Sequence, residues 1–221
     1  MPTDVYTNAT PFELNQGLVR LHNSPEYRTM LLDAGIKPVF RISNLDAEAT
    51  RRELERFRAL GYHAAPCHAA YDFDEGGLYS YTGTGSLFYL FVSASETDLA
   101  DLVAVDKAQK THGDGGDKLG HALEVGRLLG YPPCCSRFYA SFTVNPHQTT
   151  FQLRTYQATT GSIAPHVHPT LRLLGHFPCS LSCEVTDARH RAILDAMAER
   201  LPEFHAWVRP AFRFPVWIPS A

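Results

Sequence analysis

Four of the five cysteines form two pairs, Cys134-Cys135 and Cys179-x₃-Cys183, and a proline stands directly before each pair. The thiolate is the form of cysteine that ligates metals and attacks electrophiles. A thiol at a helix N-terminus loses its proton more readily, because unpaired backbone N–H groups and the macrodipole favour negative charge there. Pro132-Pro133 and Pro178 both precede runs with helical character. Each pair is therefore expected at or near a helix start.

Four thiolates suit a tetrahedral zinc ion or an iron–sulfur cluster. Structural zinc usually draws on pairs spaced C-x₂₋₄-C, and only the second pair has that spacing. Neighbouring side chains diverge, so an adjacent doublet is expected to reach two corners of a wide cluster more easily than one small ion. The spacing points to an iron–sulfur cluster, [4Fe–4S] before other types, with zinc as the alternative. Cysteine also serves as a small buried hydrophobe, but two proline-led pairs are a specific pattern for that bland role.

Candidates for substrate contact or proton transfer are His121, Glu124 and Arg127, on the helix expected before the doublet, and His176, three residues before Cys179. Cys67, flanked by His63 and His68, has the weaker claim of a lone cysteine. His166 and His168 share one face of an extended segment, and with His147 they form a reserve metal site. The run Gly113-Asp114-Gly115-Gly116-Asp117 lacks the lysine of a P-loop and the ligand spacing of an EF-hand. Thr82-Gly83-Thr84-Gly85 does not lead from a strand into a helix, as a dinucleotide fingerprint must.

The elements that position these residues change character along the chain. Residues 11–35 carry one or two helices broken near Asn23-Ser24-Pro25. Residues 37–42, 62–73 and 86–92 are β-branched or aromatic runs and are predicted strands. Between the first two of these, residues 44–61 have the helical spacing Ala49, Leu54, Phe57, Leu60, a cap at Asn44 or Asp46, and a stop at Gly61. Helices are also predicted over 96–105, 117–129, from Cys134 through Phe142, and from Cys183 or Thr186 to Leu201. The expected class is α+β: a small mixed sheet with helices over residues 1–110, then a mainly helical, cysteine-bearing part over 111–221.

The chain has 221 residues, 44% hydrophobic and 19% charged, with a formal net charge of −3. That composition supports a packed core and lacks the basic footprint of a nucleic-acid binder. No run reaches the roughly 18 apolar residues of a membrane span, and the N-terminus lacks the basic and apolar regions of a signal peptide. A cytoplasmic location follows as an expectation, and in that compartment cysteines are metal ligands or reactive thiols rather than disulfides. The aromatic group Phe204, Trp207, Phe212, Phe214 and Trp217 is expected to pack internally or across a homo-oligomer interface.

The segment from His121 through Gly130-Tyr131-Pro132 to Cys134-Cys135, together with Pro178-Cys179-Ser180 and Cys183, resembles an uncharacterised prokaryotic family, domain of unknown function 483. Its pattern is a histidine before GYPxCC followed by a PCSxxC-like segment. The resemblance covers the C-terminal half. It implies that these positions matter and implies no activity.

Three functional classes follow. The first is an iron–sulfur enzyme acting on a small molecule by sulfur transfer or Lewis-acid lyase chemistry, with Cys134, Cys135, Cys179 and Cys183 as ligands. The second is a zinc-stabilised binding module. The third is a metal-free enzyme with a cysteine nucleophile and His121 or His176 as base.

Overall fold

The computed structural model describes residues 20–68, 72–73, 79–80, 88–112, 117–143, 173, 176, 178–180 and 183–209. Its class is the expected α+β. The chain divides into two compact units, Lys37–Gly130 and a discontinuous one formed by Met1–Ile36 with Tyr131–Ala221. This differs from a division near residue 110. Helix 96–112 packs on the sheet and helix 118–128 packs on that helix, so both belong to the sheet unit.

The sheet unit begins with β1 (Val39–Leu45), α2 (Ala47–Ala59) and β2 (His63–His68); the helix before them in the chain, α1 (Pro25–Asp33), belongs to the other unit. After the short pair β3 (Asp72–Phe73) and β4 (Tyr79–Ser80) comes β5 (Phe88–Ser93), then α3 (Glu96–His112) and α4 (Lys118–Leu128). The strand order is β1-β5-β2, with β5 antiparallel to both neighbours. β1 and β2 are thus parallel to each other, joined by α2, and split by β5, which enters between them later in the chain.

That topology explains the apolar run in β5. Leu90, Phe91, Val92 and Ser93 are consecutive and buried, so both faces of the central strand are covered. Phe57 of α2 and Leu99 and Leu102 of α3 contribute to this core. The edge strand β2 carries Pro66, a residue that a central strand would not tolerate.

Helix boundaries follow local hydrogen bonds. Asp46 caps α2 by accepting from the Ala49 N–H at 2.7 Å, and Ser95 caps α3 by accepting from Asp98 at 3.2 Å. Asp117 caps α4 through Gly120 at 2.9 Å. α2 ends with Gly61 N–H to Arg58 and Tyr62 N–H to Phe57, a Schellman arrangement that holds Gly61 at φ 87°. The predicted helix over 96–105 extends in fact to His112.

The other unit contains α1 (Pro25–Asp33), α5 (Pro133–Thr143), α6 (Glu184–Arg200) and α7 (Pro202–Val208). The break expected near Asn23-Ser24-Pro25 is the N-cap of α1, where Ser24 accepts from the Tyr27 N–H at 3.1 Å. α1 packs on α6, and Arg200 bridges to Asp33 at 3.0 Å. Tyr27 is fully buried and donates its hydroxyl to the Leu173 carbonyl, while burial pushes its pKa upward. Leu21, Leu31, Ile193 and Met197 fill the surrounding core.

Two stability effects are expected. Gly61→Ala should lower the unfolding free energy by about 1–2 kcal/mol from its left-handed backbone, since the space a methyl would occupy is open. Tyr27→Phe should cost about 1–3 kcal/mol by leaving the buried Leu173 carbonyl without its donor. Chemical denaturation of the two variants measures both, and unchanged midpoints would contradict these assignments.

Candidate metal centre

The helical unit brings the four cysteines together. Their Sγ atoms all lie within 4.8 Å of one another. Cys134, Cys135 and Cys183 form a nearly equilateral triangle with sides of 3.8, 3.7 and 3.8 Å. None of the five cysteines of the chain is in a disulfide. This four-cysteine group can hold a metal ion.

Local structure accounts for the convergence. Pro133 occupies the first position of α5, where its missing N–H costs nothing, and the Pro132 carbonyl accepts from the Ser136 N–H at 2.9 Å. Cys134 and Cys135 therefore sit in the first turn of α5. Cys183 is the N-cap of α6, its carbonyl accepting from Asp187 at 2.9 Å. Two helix N-termini thus present their positive ends to the same cluster of sulfurs. Both helix starts were expected from the prolines.

The adjacent doublet behaves differently from expectation. Cys134 and Cys135 aim their sulfurs at one small volume instead of diverging. Successive residues of a helix are rotated by about 100°, and different staggered rotamers are sufficient to swing the two sulfurs back together. The geometric objection to a single ion is thereby removed.

Cys135, 1% exposed, is the most enclosed of the four, while Cys134 and Cys179 are half-buried. Its Sγ accepts the Cys179 N–H at 3.4 Å and lies 3.4 Å from Thr186 Oγ1. Thr186 Oγ1 is in turn 3.2 Å from His176 Nε2, and the His176 ring stacks on Tyr131 at 5.4 Å. His176 therefore stands one layer behind the sulfurs, reached through Thr186. Sequence reasoning singled out His176 and missed Thr186, whose signal is its place three residues after Cys183 in the first turn of α6.

Burial pushes the Cys135 thiol well up, against the hydrogen bonds from Thr186 and Cys179. Burial, then the neighbouring Cys183, pushes Cys179 up to about 11. Burial also opposes ionisation of Cys183, but hydrogen bonds from Thr186, Cys179 and Cys134 together outweigh it and bring this thiol down to about 7. Once one thiolate exists, its charge and the loss of solvent disfavour the next. Arg189, half-buried on α6, donates to the Ile36 carbonyl at 3.2 Å; burial lowers its pKa, and the charge of Cys135 opposes that.

His121, Glu124 and Arg127 are on α4 of the sheet unit. Glu124 and Arg127 engage each other in a two-bond pair of 2.6 and 3.0 Å, which holds the exposed Glu124 carboxyl below its ordinary range. Burial lowers the His121 pKa, against the charge of Asp106. Cys67 is buried in β2, also in the sheet unit. His147, His166, His168, the 82–85 and 113–116 runs, Phe212, Phe214 and Trp217 lie outside the described residues.

No family model, curated protein or solved structure matches this chain. The cysteine group must be interpreted from its own chemistry.

Metal uptake must displace the protons that Cys135 and Cys179 retain at neutral pH. Affinity is therefore expected to rise with pH and to fall by at least about 1,000-fold per unit well below neutrality, where Cys183 is protonated too and at least three protons are released per ion bound. Chelator competition across that range measures the slope, and a flat profile would show that the thiols are already ionised.

Proposed function

We propose that Cys134, Cys135, Cys179 and Cys183 bind a single tetrahedral zinc ion, and that the chain is a zinc-stabilised binding module. The supporting observation is the sulfur triangle of 3.7–3.8 Å. A tetrahedral ion with Zn–S bonds of about 2.3 Å holds its sulfurs about 3.8 Å apart. In a cubane cluster each thiolate is carried by a different iron, so the separation of the irons spreads the sulfurs further. Four protein ligands close the coordination sphere, which is the arrangement of structural rather than catalytic zinc. In this reading the metal joins the start of α5 to the start of α6, and the sheet unit recognises a partner. Its edge strands β1 and β2 have no further strand beside them among the described residues.

The iron–sulfur enzyme is the second reading. The half-buried Cys134 and Cys179 and the two helix N-termini support it, since an open iron needs access and an anionic cluster benefits from both dipoles. The sulfurs would have to separate to admit the cluster. Sulfur transfer or Lewis-acid lyase chemistry on a small molecule would be its activity. A metal-free nucleophile is the third, with Cys183, whose thiol is drawn down to about 7, as the attacking group.

Metal and acid-labile sulfide analysis on protein purified without oxygen separates these. Colourless protein with one zinc per chain is expected. Chelation, or Cys135→Ser, should then unfold the helical unit, read as lost helical circular dichroism, because the binding energy of a structural metal is folding energy. Brown protein with iron and sulfide would overturn the zinc reading in favour of the cluster. Metal-free, folded protein would leave the nucleophile.

A further inference from the structure

Behind Cys135 stands a buried polar chain that the ligand set alone does not require. Thr186 is 4% exposed and His176 is 7% exposed. The Thr186 hydroxyl lies between Cys135 Sγ at 3.4 Å and His176 Nε2 at 3.2 Å. The His176 ring is held flat against Tyr131, 28° from parallel. The four residues come from the turn before α5, from α5, from the segment before Cys179 and from α6. The chain they form ends at one sulfur, that of Cys135.

Valence decides the direction of the chain. A thiolate bound to a metal has no proton and can only accept. The Thr186 hydroxyl has one proton and faces one imidazole nitrogen and two sulfurs, Cys183 as well as the more enclosed Cys135. With its proton on His176, its lone pairs would face the sulfur's negative charge in a buried site. With its proton on the sulfur, it must accept from His176, so Nε2 must carry hydrogen. The Cys179 N–H, at 3.4 Å, supplies the second hydrogen bond to the same sulfur.

We infer that Thr186 and His176 are positioning residues for the metal centre: Thr186 donates to the metal-bound Cys135 thiolate, and His176 donates from Nε2 to Thr186. This rests on the metal-binding reading above and holds for any metal bound through Cys135. Hydrogen bonds from a second layer orient a ligand and tune its donation to the metal, and their loss typically weakens metal binding about 10- to 100-fold. Cys134 and Cys179 are half-buried, so Cys135 is the ligand whose orientation is set most by protein.

The test uses the full-length chain loaded anaerobically with cobalt(II), whose thiolate charge-transfer bands report the sulfur environment. Thr186→Val keeps the shape of the side chain and removes the hydroxyl. It should shift those bands and speed cobalt loss to a chelator by about 10- to 100-fold, and Thr186→Ser should restore both. Nitrogen NMR of the parent protein loaded with zinc should find hydrogen on His176 Nε2, a readout that needs no variant to fold. A Thr186→Val protein with the parent's bands and exchange rate, or a His176 bearing hydrogen only on Nδ1, would overturn the inference while leaving metal binding intact. A parent protein that takes up neither cobalt nor zinc would overturn the metal reading, and this one with it.

Discussion

Four sulfurs within 4.8 Å of one another are the constraint on which the helical unit depends. As thiols they pack; as thiolates they repel strongly unless a cation sits among them. The chain arranges partial compensation through two helix N-termini, an N–H and a hydroxyl on Cys135, and the nearby Arg189. None of these is a full positive charge bonded to sulfur. Cys183 has its thiol drawn down to about 7, and burial keeps those of Cys135 and Cys179 up. A cation held among the four sulfurs could complete that compensation.

That completion is also topological. Cys134 and Cys183 are 49 residues apart in sequence, and much of the span between them lies outside the described residues. Bringing such distant positions together costs loop-closure entropy that grows slowly with length. A metal bound there would offset this cost in the way a disulfide would, with the difference that it depends on metal supply and pH.

Much of the fold was legible locally. Asp46, Ser24 and Asp117 are short polar side chains placed before helical runs, and each caps the helix that follows. The apolar run at 86–92 pointed to a strand without saying it would be central, because a continuous apolar run records burial on both faces and not strand order. α7 escaped because Pro202 reads as a stop when it is the first residue of a new helix. The division into units was hidden because packing partners distant in sequence decide it: α1 finds α6, and α3 finds the sheet. The cysteines were legible as a group from their prolines. The small span of their sulfurs was not, since it depends on rotamers that spacing does not report. Thr186 was invisible for the same reason: a threonine in a first turn has no distinctive chemistry until a thiolate and an imidazole are seen on either side.

The sheet unit is one continuous stretch, Lys37–Gly130, set inside a helical unit made of two separated pieces. During synthesis from the N-terminus, every strand of the sheet has been made before Cys134 exists. α1 must wait for α6, its packing partner more than 150 residues later, so the helical unit closes last. Until that moment the thiols of Cys134 and Cys135 are exposed on an incomplete surface. The final cysteine to emerge, Cys183, is one whose thiol the assembled site makes more acidic.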